Sequence, residues 1–251
     1  MTFKQRLANQ EKLLGTFIKT PHYHVSEVLA KTNLDVLCLD AEHAPFDRKD
    51  IDACVLACKA NNMPVIVRLQ DDNPANILNA LDMDADGIVI PHVKTAEQAR
   101  MLSKKCHFGN EGRGFAGSTR FANYTRAGIT NTLQKDQHQT TVIAQIEDAD
   151  ALPNVDQICQ VDGIDCVFIG RIDLTISLGQ DSPTQPSVME AVERIVDSCI
   201  KHQKPCGMFV GNLNELAHWK AKGVQLFLLE SDHSFLFSGA ETLLTKFNEV
   251  D

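Results

Sequence analysis

The chain has 251 residues, long enough to bury a substantial core in one large α/β domain or two small ones. Its 24 Lys plus Arg stand against 33 Asp plus Glu, and the resulting formal charge of −9 repels phosphate backbones and anionic membrane surfaces, excluding nucleic acid as an expected partner. Residues 1–10 are polar and lack the apolar core of a signal peptide, and no apolar run approaches transmembrane length, so a soluble cytoplasmic protein without a membrane partner is expected.

In chain order, short apolar runs bounded by turn residues predict strands at 14–18 and 36–39, then a helix at 48–61. A strand follows at 65–69, a helix at 74–83, a strand at 87–90 and a helix at 95–105. Further strands are predicted at 142–146 and 166–169, a helix at 187–202, a strand at 206–210, a helix at 213–222 and a last strand at 225–229. The strand runs are apolar along their whole length, as in a parallel sheet covered on both faces. Eight β/α units with no Gly/Ser/Pro-rich linker between them predict a TIM-type parallel barrel, one domain over residues 1–251. The interval between the fourth and fifth strands carries Gly112-Arg113-Gly114-Phe115-Ala116-Gly117-Ser118-Thr119-Arg120 and is too long for an ordinary connection, which marks a functional or mobile loop.

The eight cysteines are scattered through apolar segments with no C-x-x-C and read as core residues. Cys54 and Cys58 share one helix face, where packing is the expected role.

In a β/α barrel the active site lies at the carboxyl ends of the strands. There the second strand is followed by Asp40, Glu42 and His43, the third ends at Arg68, the fifth carries Gln145 and Glu147, and the sixth leads to Asp173. Glu147 and Asp173 from adjacent strands are an oxygen pair for Mg²⁺ or Mn²⁺, with Asp40 or Glu42 placed to orient the cation's waters. The competing reading is that such acids cap the following helices, Asp173 before Leu174-Thr175 above all. Clustered acids without a cation cost several kcal/mol, which favours the metal. His43 is the natural proton-transfer group, since imidazole titrates near neutrality. A guanidinium at Arg68, after Val65-Ile66-Val67, needs an anion: either a substrate oxyanion or an internal partner in Glu42 or Glu147. His22-Tyr23-His24 reads as a substrate-side loop, and Lys19 and Lys94 as solvated lysines rather than Schiff-base formers.

These strand-end motifs resemble the HpcH/HpaI aldolase family. The likeness lies in Leu39-Asp40-Ala41-Glu42-His43-Ala44-Pro45, Val67-Arg68, Ile90-Pro91-His92-Val93, Arg113-Gly114 with Arg120 and Tyr124, Gln145-Ile146-Glu147, and Gly163-Ile164-Asp165-Cys166-Val167-Phe168-Ile169-Gly170 followed by Asp173-Leu174. The resemblance implies a class II, pyruvate-dependent aldolase acting on 4-hydroxy-2-oxo acids, with a 2-oxo acid and an aldehyde as its small-molecule partners. It implies Glu147 and Asp173 as ligands of Mg²⁺ or Mn²⁺, with Co²⁺ a further candidate, Arg68 on the enolate oxygen and His43 as general base. Gln145 and the backbone amides around Gly170, Ile172 and Asp173 would hold the pyruvate carboxylate. Asp82 falls where family members place an acid that orients the catalytic His of a neighbouring subunit, and the last helix is exchanged between subunits of a homo-oligomer, commonly a hexamer.

The chain departs from the family pattern at Arg171, where proline is frequent, and at Glu230-Ser231-Asp232, and both departures are expected near the mouth. Alternative readings are oxaloacetate decarboxylation, a citrate-lyase-like or malyl-CoA type cleavage, and a non-catalytic barrel that binds a small carboxylate.

Overall fold

The aliphatic and β-branched runs become strands covered on both faces in the computed structural model, which describes residues 1–250. The order is α1 (Phe3–Ala8), β1 (Leu13–Ile18), α2 (Tyr23–Leu29), β2 (Val36–Asp40), α3 (Arg48–Ala60), β3 (Val65–Arg68), α4 (Pro74–Asp82), β4 (Gly87–Ile90) and α5 (Ala96–Cys106). There follow α6 (Gly128–Gln139), β5 (Thr141–Ile146), α7 (Val155–Cys159), β6 (Cys166–Ile169), α8 (Arg171–Ser177), α9 (Pro186–Lys201), β7 (Cys206–Met208), α10 (Leu216–Ala221), β8 (Leu226–Ser231) and α11 (Asp232–Asn248). The eight strands pair in parallel and in chain order, and β8 returns to β1 to close the barrel.

Every predicted strand stands within a few residues of its expected place. Six helices lie outside the expected set: α1, α2, α6, α7, α8 and α11. Four of them are seven residues or shorter, too few for a 3.6-residue period to show. One consequence corrects the sequence reading: His22-Tyr23-His24 is a helix start rather than a substrate loop. His22 Nδ1 accepts the His24 amide at 3.3 Å and caps α2, and none of the three residues lines the barrel mouth.

Alternation along each strand sorts side chains into two cores. Leu13 and Phe17, Val36 and Cys38, Ile66, Val89, Ile143, Cys166 and Phe168, and Leu226 and Leu228 fill the barrel interior, joined by Phe3 and Leu7 of α1. The intervening residues, such as Leu37, Leu39, Val65 and Val67, pack outward under the helices. All eight cysteines are buried and free, divided between these layers as apolar filler. In contrast α11 leaves Leu236, Phe237, Leu243, Leu244 and Phe247 exposed. No helix among the described residues is long and apolar enough to cross a membrane.

Candidate active site

Extending the inward parity by one step carries the chain from apolar core to chemistry. Cys38 leads to Asp40, Ile66 to Arg68, and Ile143 to Gln145 and then Glu147, all beyond the last apolar layer at the carboxyl ends of the strands. Asp40 and Arg68 are register partners between β2 and β3. Arg68 Nε donates to Asp40 Oδ1 at 3.0 Å and Nη2 lies 2.8 Å from Oδ2, while the guanidinium stacks 4.6 Å from the Phe17 ring centroid. Glu42 Oε2 is a further 3.3 Å from Arg68 Nε. Of the two internal partners weighed for Arg68, Glu42 is therefore in reach, but Asp40 makes the closer pair. Burial pushes the Asp40 carboxyl up, yet the hydrogen bond and charge of Arg68 hold it below the ordinary carboxylate value. His43 is half exposed; its amide donates to Asp40 Oδ1 at 3.2 Å and its Nε2 lies 3.5 Å from Glu42 Oε2.

Glu147 follows β5 and is almost wholly buried. It accepts the His92 amide on Oε1 at 2.9 Å and the Gln145 side-chain amide on Oε2. His92 sits just past β4 in a left-handed conformation, φ 55°, which carries its ring to 3.4 Å from Glu147 Oε1 and 3.0 Å from Asp148 Oδ2. The ligand atoms of Glu42, His92 and Glu147 all lie within 4.8 Å of one another. Burial holds the Glu42 carboxyl above its ordinary value against the pull of Arg68 and His43, and the Glu147 and Asp40 charges add to the effect. Glu42 Oε2 and Gln145 Oε1 are buried without a hydrogen-bond partner. Two converging carboxylates, an imidazole and unpartnered buried oxygens form a donor set that fits a divalent cation. His92 was no candidate in the sequence, because only its left-handed backbone brings the ring to Glu147.

A cavity of about 510 Å³ opens beside these groups, with His43, Arg68, Gln145, Gly170, Ile172 and Asp173 in its wall. Asp173 lies in the first turn of α8 but caps nothing, since the N-cap position is Gly170 and no side chain bonds there. The capping alternative for Asp173 therefore lapses. Asp173 lines this cavity without belonging to the Glu42, His92 and Glu147 cluster. At Gly170 a side chain would collide with the Glu147 carboxylate, so this position requires glycine. Arg171 is buried: its guanidinium bonds the Pro183 carbonyl at 2.6 and 2.9 Å and pairs with Glu215 at 2.5 Å, which also accepts Trp219 Nε1. It ties α8 to the segment before α9 and to α10. Glu230 also lines the cavity, at φ 59°, beside Ser231. Lys19 is not a free lysine, because its Nζ pairs with Asp40 Oδ2 at 3.3 Å, and Lys94 pairs with Asp148 at 3.1 Å.

Asp82 stands apart from this cavity. It ends α4 and lines an outer groove of about 720 Å³ with Arg48, Ser118, Thr119, Arg120 and Tyr124.

The sequence profile of the family described as HpcH/HpaI aldolase/citrate lyase matches residues 13–236. The chain is 34% identical over 202 residues to the hydroxypyruvate/pyruvate aldolase of Roseobacter denitrificans, covering 78% of this chain and 79% of that one. It is 33% identical over 215 residues to the 2-keto-3-deoxy-L-rhamnonate aldolase of Salmonella gallinarum, covering 84% and 78%. A crystal structure of an HpcH/HpaI aldolase/citrate lyase family protein from Burkholderia cenocepacia superposes with a TM-score of 0.91 at 29% identity, over 98% of both chains. A closed parallel barrel, acids and a guanidinium gathered at its carboxyl mouth, and a profile match over most of the sequence lead to one conclusion: the chain belongs to the HpcH/HpaI aldolase/citrate lyase family.

Proposed function

We propose that the chain, as a single barrel domain, is a class II aldolase that cleaves 4-hydroxy-2-oxo acids to pyruvate or a related 2-oxo acid and an aldehyde. The observation that carries this reading is the convergence of Glu42, His92 and Glu147 beside Arg68, His43 and Gln145 at one mouth. Glu147 and Asp173, the pair implied by family resemblance, are proposed to hold Mg²⁺, Mn²⁺ or Co²⁺, with Glu42 and His92 close enough to Glu147 to share in that task. A bound divalent cation supplies Lewis-acid polarisation of the 2-oxo group.

The protein's own groups do the rest. His43, half exposed at the mouth, takes the proton of the substrate 4-hydroxyl as the carbon–carbon bond breaks. The guanidinium of Arg68 is held rigid by Asp40 and Phe17 and faces the cavity, where its charge stabilises the enolate oxygen. Gln145 and the backbone amides from Gly170 to Asp173 seat the carboxylate at the start of α8, where amides point outward. Asp82 is proposed to orient His43 of the partner subunit, and the exposed apolar side chains of α11 to pack on a neighbouring copy in a homohexamer. The reading includes a cytoplasmic setting.

Incubation with pyruvate, Mg²⁺, Mn²⁺ or Co²⁺ and a panel of aldehydes should give aldol adducts that EDTA suppresses. No adduct, and no pyruvate release from any 4-hydroxy-2-oxo acid, would overturn the reading. The family's description also covers citrate lyase, which keeps a CoA-ester lyase as the second reading. Thermal stabilisation by CoA would favour it.

A further inference from the structure

We propose that Arg113, in the Gly112-Arg113-Gly114 segment of the long loop between α5 and α6, is a positioning residue that fixes the Asp82 carboxylate where it engages His43 of the partner subunit. The inference rests on the intersubunit reading of Asp82 given above.

The Arg113 side chain is fully buried, with its guanidinium carbon 4.0 Å from the Phe108 ring centroid and 4.8 Å from that of Phe121. On one side Nη2 donates to Asp136 Oδ1 at 3.1 Å. Asp136 is itself fixed by Thr140 Oγ1 at 2.8 Å, the Phe108 amide at 3.1 Å and His107 Nδ1 at 3.1 Å. A guanidinium clamped between two rings and one anchored carboxylate has a single orientation. Its other side faces Asp82, with Nη1 at 3.7 Å from Oδ1. That distance is an ion-pair contact and not a hydrogen bond. Arg113 Nε and Nη1 and Asp82 Oδ1 are all buried without hydrogen-bond partners.

An arginine serving only the core would be expected to satisfy its donors, and Asp136 already has three other donors without it. Of the two unpartnered donors, Nη1 is the one that meets Asp82. The same loop holds the backbone of that residue, since the Phe121 amide donates to the Asp82 carbonyl at 3.2 Å and Arg120 Nη1 to the Met83 carbonyl at 2.9 Å. Asn123, Tyr124 and Thr125 are consecutively left-handed, at φ 51°, 49° and 74°, a strain that surrounding contacts must maintain. The long insertion is thus wrapped around the end of α4. Burial pushes the Asp82 carboxyl up, and Arg113 is the first charge opposing it, followed by Arg48 of α3.

The test uses the full-length enzyme, with Arg113→Met, Arg113→Lys, Asp82→Asn and His43→Ala, and mixed oligomers made by co-expressing differently tagged subunits. Arg113→Met should lower kcat about tenfold, a part of what positioned general-base catalysis supplies, with KM for pyruvate and metal affinity unchanged. Arg113→Lys should restore part of the loss. Adding Arg113→Met to Asp82→Asn should cost nothing more. Mixed His43→Ala and Arg113→Met oligomers should regain activity, because an intact His43 then meets an intact Arg113 and Asp82 on another subunit. If Arg113→Met does not fold, Arg113→Lys combined with Asp82→Asn carries the same test. Wild-type kcat in both Arg113 variants, independent costs in the double variant, or regain for His43→Ala with Asp82→Asn but not with Arg113→Met would overturn the inference alone. No regain for His43→Ala with Asp82→Asn removes the intersubunit reading, and the inference with it.

Discussion

Asp40 and Arg68 face each other across the β2–β3 register and close a two-point ion pair, Nε to Oδ1 at 3.0 Å and Nη2 to Oδ2 at 2.8 Å. The pair aims a planar fork into the cavity. Replacing Arg68 by Lys keeps the charge but loses the fork and the stacking on Phe17, so kcat should fall by about 10²-fold, the usual cost of a lost oxyanion donor. Asp40→Asn should impair turnover as well and lower stability by roughly 3 kcal/mol, because it leaves a buried guanidinium without its main anion. Steady-state kinetics and urea unfolding check both, and near-normal turnover in Arg68→Lys would make Arg68 structural.

The donor set at the mouth separates by metal titration. Glu147→Gln and Asp173→Asn should each abolish tight Mn²⁺ binding and activity together. His92→Ala should weaken binding about 10- to 100-fold, the range for groups that support a site. Calorimetric titration reads all three directly, and unchanged affinity in Glu147→Gln would remove that carboxylate from the metal site.

Lys19 lines the same cavity with its ammonium 3.3 Å from Asp40 Oδ2. An amine paired in this way is not poised to form a Schiff base, whereas the carboxylates nearby are poised for a cation. Borohydride added with pyruvate should therefore leave activity intact while EDTA removes it. A reduced pyruvyl adduct on Lys19, seen by mass spectrometry, would reverse the assignment.

Asp136 links the loop after α5 to α6, and its carboxyl lies below the ordinary value: burial raises it, but His107, Arg113 and Thr140 lower it more. A depressed folded pKa contributes stability that is fully present above the unfolded value of about 3.9 and is lost as pH falls through the lower folded value. Asp136→Asn should cost roughly 3 kcal/mol at neutral pH. The gap between variant and parent should narrow only below about pH 4. Unfolding curves between pH 7 and 3 test this, and a gap that does not change with pH would show that the charge of Asp136 contributes nothing.

Much of the molecule is determined locally. Whether residue 38, 40, 66 or 68 points inward follows from the two-residue period of a strand, and whether a run is covered on both faces follows from its unbroken apolarity. The eight strands, the closed barrel and the gathering of Asp40, Arg68, Gln145 and Glu147 at one mouth were therefore legible in the sequence, and the resemblance supplied roles for His43, Asp173 and Asp82. What the tertiary structure decided are relations between segments. The Asp40 to Arg68 pairing depends on strand register, and His92 reaches Glu147 only through a left-handed residue after β4. Arg171 turns into a buried contact with Glu215 of a distant turn, and the loop from 107 to 127 closes on the end of α4 around Arg113. Side-chain direction within a strand is set by its own backbone, but distances between side chains on different elements are set by barrel closure and loop conformation, and no pattern along the chain encodes those one residue at a time.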